Sequence, residues 1–145
     1  MPTKEPMMTW LVHHSSGLAG TFVLSLAFFQ RFVRPAVGTA FHDGWLFVLS
    51  AARRTDNRPM RHHLGVQKLR FARREELLTH TGLEPGCVPP FGHPLFNLPV
   101  YVDASLAAGE EIAFTAADHR LSIRMAMGDY LAVARPAGIF DFSRD

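Results

Sequence analysis

The chain has 145 residues, of which 48% are hydrophobic and 19% charged, with a net charge of +2. This composition excludes an extended disordered chain, because the apolar content can offset the entropy of ordering, and the length suits one domain (1–145) with a real core. The single cysteine, Cys87, excludes an internal disulfide and fits a reducing, cytoplasmic compartment.

Residues 1–8 read as a loose tail. Leu18 to Phe29 is the most apolar stretch, too short to span a bilayer and closed by Gln30-Arg31, so no membrane partner is expected. No small-residue cleavage site follows it, which speaks against a signal peptide. Its apolar residues run nearly all round a helical wheel. They predict a buried helix from about Gly17 to Val33, capped by Ser15 or Ser16 and stopped by Pro35. Next, Val37 to His42 and Trp45 to Ser50 flank Asp43-Gly44, a preferred type I′ pair, and predict a hairpin. Trp45 to Leu49 is continuously apolar, as for a strand covered on both faces. A short helix near 57–64, a strand over 66–71 and a helix near 73–80 follow, the last ended by Gly82 as a left-handed cap. Beyond a Gly/Pro-rich loop come a strand at 99–103, a short turn of helix, and a second hairpin pairing Ile112–Thr115 with Leu121–Met125. A last helix is expected near Met127 to Ala134. Helices and strands alternate irregularly and two connections are hairpins. That predicts an α+β domain with a mixed, partly barrel-like sheet flanked by helices.

Thirteen of the fifteen cations are arginine. Many fall between Arg53 and Arg74: Arg53, Arg54, Arg58, Arg61, Lys68, Arg70, Arg73 and Arg74, with only Asp56 among them as an opposing charge. Such a stretch attracts phosphates, which arginine binds in bidentate fashion; a solvated face is the plainer reading.

The loop running from Thr81 to Gly92 holds Pro85, Gly86, Pro89 and Pro90 within six residues, together with Val88 and Phe91. That density marks a rigid turn in special backbone dihedrals, a common carrier of function. Cys87 inside it is either a small residue beside Gly86 or a nucleophile, which would need a base such as His80 or His93. Asp103 ends the following strand, as a substrate contact or as a cap for Ala104-Ser105-Leu106. Phe41, Trp45 and Phe47 read as core, whereas Phe91 stands on the loop itself. The histidines show no metal-ligand spacing, so no metal or other cofactor is expected.

In order along the chain, Leu64–Ala72, Arg73-Arg74-Glu75-Glu76-Leu77-Leu78, Thr81–Gly86, Val88-Pro89-Pro90-Phe91-Gly92, Pro99–Asp103, Gly109–Ile112 and Asp129-Tyr130-Leu131 resemble the YbaK/EbsC family of aminoacyl-tRNA deacylases. That family is related to the editing domain of bacterial prolyl-tRNA synthetase. Gly86-x-x-x-Pro90 matches the family's Gly-x-x-x-Pro loop. The resemblance implies a cytoplasmic trans-editing hydrolase that removes a wrongly attached amino acid from the 3′ end of tRNA. It implies catalytic roles for Gly86 and Pro90, with Gly38 standing where the family carries a lysine. Substrate contacts would come from Thr39, Cys87, Val88, Phe91, Gly92 and Asp103. The tRNA backbone would be held by Arg53, Arg54, Arg58, Arg61, Arg73 and Arg74. Ester hydrolysis builds negative charge on the carbonyl oxygen, and amides of a glycine-rich turn can meet it closely. Because of Gly38, a second reading stays open: a binding module of the same fold that recognises aminoacyl-tRNA or an amino-acid-like ligand.

Overall fold

A computed structural model describes residues 23–30 and 44–145 of the chain. Its centre is a mixed sheet whose middle strand, β2 (Gly44–Ser50), is buried along its whole length apart from half-buried Trp45. On one side β2 runs antiparallel to β1 (Val23–Gln30), in register from Val23 with Ser50 to Phe29 with Gly44. On the other it runs parallel to β5 (Val100–Asp103), with Leu46 opposite Val100. β4 (Leu69–Phe71) adds antiparallel to β1, and β8 (Gly138–Phe140) adds parallel to β5, giving the order β4-β1-β2-β5-β8. Among the described residues this sheet is open at β4 and β8 rather than closed into a barrel. Two short pairs accompany it, β3 (Arg54–Thr55) with β9 (Ser143–Arg144) and β6 (Glu111–Thr115) with β7 (Ser122–Ala126).

The sheet corrects one expectation. Val23–Gln30 is a strand, not part of a helix. A run apolar on all sides has no period to separate helix from strand, and the seven-residue register with β2 decides it. Leu46–Val48 pairs with β1 on one edge and with β5 on the other, and the expected hairpin arm is Val37–His42. Those residues, with Gly38, Thr39 and the tail 1–8, lie outside the described residues.

Alternation along β2 divides the core in two, as a strand covered on both faces must. Leu46 and Val48, with Val100 and Val102 of β5, pack under Val88, Phe96, Leu98, Leu106, Ile112, Phe114, Met127 and Tyr130. Phe47 and Leu49 point to the other face, against Met60, Leu69 and Phe142. One face therefore carries the Gly/Pro loop, the β6–β7 hairpin and helix α4 (Met127–Ala134). The opposite face carries helix α1 (Asn57–Leu64) and the C-terminal segment. Removing a buried side chain such as that of Phe47 from this double core should cost about 3–5 kcal/mol.

Local chemistry sets the helix ends. Asp56 caps α1 by accepting the Arg58 amide at 3.2 Å, and Gly65 ends it at φ 68°. Helix α2 (Arg74–Thr81) ends at Gly82, φ 73°, whose N–H reaches the Leu78 carbonyl at 2.8 Å, as its sequence predicts. A single turn, α3 (Ala104–Ala107), follows β5. Among the described residues no helix is long and apolar enough to cross a membrane.

Candidate active site

The loop before β5 begins as a β-turn over Glu84-Pro85-Gly86-Cys87. The Cys87 N–H closes it on the Glu84 carbonyl at 3.0 Å, and Gly86 adopts φ 87°. Proline second and a positive-φ glycine third is the type II pattern, which explains why both residues are needed here. Closing the turn occupies the Cys87 amide. The N–H groups of Gly86 and Val88 have no acceptor among the described residues. Val88 is buried, a position where a backbone amide is ordinarily paired.

Behind the turn the loop is fastened to α4. Tyr130, fully buried, donates its hydroxyl to the Pro90 carbonyl at 2.7 Å, and burial pushes its pKa up. Phe91 packs edge-on against Phe114 and at a tilt against Tyr130, with ring centroids 5.4 and 5.5 Å away. Gly92 presses so closely on the Leu98 carbonyl that a Cβ there would collide with it, and with Val100 at 2.7 Å. Phe91, Gly92, His93, Pro94 and Leu95 then form one wall of an open cleft of about 440 Å³, with Val133 and Ala134 of α4 opposite. Leu95 and Val133 are 59% and 65% exposed, so the cleft presents apolar walls to solvent.

The tip of the β6–β7 hairpin lies against the turn. Ala117, at φ 69°, donates its N–H to the Cys87 carbonyl at 3.0 Å. A non-glycine residue in that region costs about 1–2 kcal/mol, so this loop-to-loop bond is made against strain. It brings His119 over the turn, where a Cβ built on Gly86 would lie 3.1 Å from the imidazole Cε1. Asp118 is bonded by Arg120 through its amide at 2.8 Å and its guanidinium at 3.0 and 3.2 Å. Those bonds hold its carboxyl at about 2, so it is anionic at neutral pH. Burial, then the nearby Asp118 charge, raises the Cys87 pKa, partly offset by the His119 amide. A thiol kept protonated in this way is a poor nucleophile.

Of the residues singled out in the sequence, Phe91 and Gly92 line the cleft, Gly86 stands exposed on the turn, and Cys87, Val88 and Pro90 are buried. Asp103 is elsewhere. It is fully buried, and its carboxylate accepts the Phe142 amide at 2.8 Å and the hydroxyls of Ser143, at 2.7 Å, and Ser105. It anchors the C-terminal segment on the opposite face. The arginines are also more engaged than Asp56 alone suggests. Arg70 clasps Glu76 at 2.6 and 2.8 Å, and Arg73 lies 3.6 Å from the same carboxylate. Arg74 grips Glu84 at the head of the loop, one of its two bonds at 2.8 Å. Arg53 donates to Ser143 and Asp145, and Arg61 to the carbonyls of Asn57 and Gln67. Sequence reasoning passed over His119, Tyr130 and Glu84. No local pattern marks them, because each matters through a contact with a distant stretch of chain or with the turn it opens.

The model of the aminoacyl-tRNA editing domain matches residues 36–133, more than half of the chain. No curated protein matches it at a significant level. Among solved structures, a candidate trans-editing enzyme for prolyl-tRNA synthetase superposes with a TM-score of 0.74 at 24% identity, covering 100% of this chain and 84% of that one. A scaffold protein from computational epitope grafting gives 0.73 at 23% identity, over 95% and 81% of the two chains. The hypothetical protein APE2540 gives 0.70 at 18%, over 92% and 83%. At these identities the superpositions speak to the fold.

Proposed function

Since the chain belongs to the aminoacyl-tRNA editing domain family, we propose that it hydrolyses the ester joining a wrongly attached amino acid to the 3′ end of tRNA, acting in trans in the cytoplasm. The observation that carries this reading is the Gly86 turn, where the amides of Gly86 and Val88 have no acceptor among the described residues, in the loop whose Phe91 and Gly92 line an open apolar cleft. In the reaction a water oxygen bonds to the ester carbonyl carbon, the carbon–oxygen bond to the ribose breaks, and the ribose hydroxyl leaves with a proton. Negative charge gathers on the carbonyl oxygen in between. Fixed amide donors aimed at that oxygen lower the barrier because they need no reorganisation. Tyr130 and Gly92 keep the backbone rigid behind them. The amino-acid side chain would enter the cleft beside Phe91 and Gly92, and His119 would orient the water or the ribose oxygen. Cys87 contributes packing, not attack, since its thiol is held neutral.

One sequence observation favours a second reading: glycine at position 38, where the family carries lysine. A panel of mischarged tRNAs separates the two. Hydrolysis of at least one member is expected. Binding of tRNA without hydrolysis of any would sink the enzyme reading in favour of a binding module, and activity created by Gly38→Lys would then show which position was lost.

A further inference from the structure

Most of the arginines among the described residues are already engaged by carboxylates, by carbonyls or by the C-terminal segment. Among the described residues one exposed arginine without a side-chain partner, Arg135, caps the end of α4, and the other three, Arg54, Arg58 and Arg144, belong to β3, β9 and the start of α1. β3 and β9 pair so that Arg54 stands directly opposite Arg144. Cross-strand partners point to the same side, with Cβ atoms about 5 Å apart, and two like charges so placed repel. Both residues are exposed, and neither guanidinium has a carboxylate or carbonyl partner among the described residues. Arg58, four residues after Arg54 and at the start of α1, is likewise exposed with an unengaged guanidinium, and exposed His62 follows one helical turn later. Of the carboxylates close in sequence, Asp56 accepts the Arg58 amide and Asp145 pairs with Arg53, whereas exposed Asp141 forms no ion pair with these arginines among the described residues.

The like-charge pair is also built, not incidental. The strand that carries Arg144 is held by the buried Asp103 carboxylate, which takes the Phe142 amide and the Ser143 hydroxyl. Arg53 adds a bond to Ser143 at 2.7 Å. A buried anchor thus fixes the strand that sets Arg144 opposite Arg54, two arginines whose guanidiniums have no carboxylate partner among the described residues, a placement that a phosphate contact would complete.

We propose that Arg54, Arg144 and Arg58 form the anchor for the phosphate backbone of the tRNA, on the α1 face of the sheet, opposite the face that carries the Gly86 loop. Resting on the function proposed above, this assigns the RNA contact to three residues, one of them outside the Arg53–Arg74 stretch, and removes it from Arg73 and Arg74. The RNA then reaches the loop from around the sheet instead of lying along α2.

Binding of deacylated tRNA, followed by fluorescence anisotropy across a salt series, tests this. Each phosphate contact adds about one to the slope of log affinity against log salt. The double variant Arg54→Gln/Arg144→Gln should flatten that slope by about two. Between about 50 and 200 mM salt its affinity should therefore fall roughly 15-fold less than that of the native protein. The variant Arg73→Gln/Arg74→Gln should leave the slope unchanged. Thermal stability of the first variant should hold or rise, because the repulsion is relieved. An unchanged slope in that variant, a lowered melting temperature, or patch-dependent binding to anionic vesicles but not to tRNA overturns the assignment. Mischarged-tRNA hydrolysis by the same proteins keeps the two readings apart. An active enzyme with an unaltered slope refutes only the anchor, whereas an inert protein with the altered slope refutes only the deacylase.

Discussion

Replacing Gly86 by alanine perturbs the proposed site at its most constrained point. At φ 87° an L-residue is strained whatever the surrounding space, and the left-handed region costs about 1–2 kcal/mol for a residue with a Cβ. The new methyl would also stand 3.1 Å from His119 Cε1. That atom belongs to an exposed side chain, so the imidazole can swing aside and the steric part of the cost is small. At this chain length 1–2 kcal/mol corresponds to a fall in melting temperature of about 3–6 °C. The catalytic effect should be larger than the loss of stability suggests. Relaxing the strain rotates the peptide planes that hold the Gly86 and Val88 amides, and a misplacement of about 1 Å can cost 100-fold. A fall in kcat/KM of roughly 10–100-fold is expected, mostly in kcat, because the lost contact belongs to the transition state. The assays are thermal unfolding and hydrolysis of whichever mischarged tRNA the native enzyme accepts. His119→Ala alone and in combination separates backbone displacement from displacement of the imidazole, since neighbouring effects are non-additive. A melting temperature lowered as expected with kcat/KM untouched would refute the oxyanion role of the loop.

Two further outcomes follow from the ion pairs and the buried carboxylate. The Arg70 hydrogen bonds hold Glu76 at about 2 in the folded state, below its ordinary 4.5. Its contribution is therefore full above the ordinary value and is lost as pH falls toward 2; with both partners partly solvated it should be about 1 kcal/mol. Urea unfolding should show Glu76→Gln less stable by that amount at pH 7, with the gap closing as the pH falls through 4 toward 3; a gap constant with pH would contradict the pairing. Asp103→Asn places an amide donor against Ser143 Oγ, which already accepts the Arg53 guanidinium at 2.7 Å and donates to Asp103. The mismatch should cost about 1–3 kcal/mol and loosen the last strand. Hydrogen exchange should quicken over residues 138–145, and unchanged protection there would show that the carboxylate does not hold this segment.

Much of the local architecture is legible in the residues themselves. Helix α1 starts at an Asp cap and stops at a glycine, α2 stops at Gly82, and the turn at Glu84–Cys87 follows from proline and glycine in adjacent places. Each is fixed by dihedral preference and by hydrogen bonds within a few residues, so sequence alone determines it. The chain-ordered motifs around Gly86 and Pro90 likewise identify the family. What the sequence cannot hold is anything settled by pairing across the chain. Val23–Gln30 is equally apolar as helix or strand, and only its register with β2 chooses. Arg70 and Arg74 look available for phosphate until Glu76 and Glu84 close on them, and Arg54 gains its meaning only when Arg144, ninety residues later, lands opposite it. His119 comes over Gly86 because Ala117 bonds the Cys87 carbonyl. Short-range preferences wrote the loop, whereas the tertiary structure, through contacts whose closure entropy no local segment offsets alone, decided what stands around it.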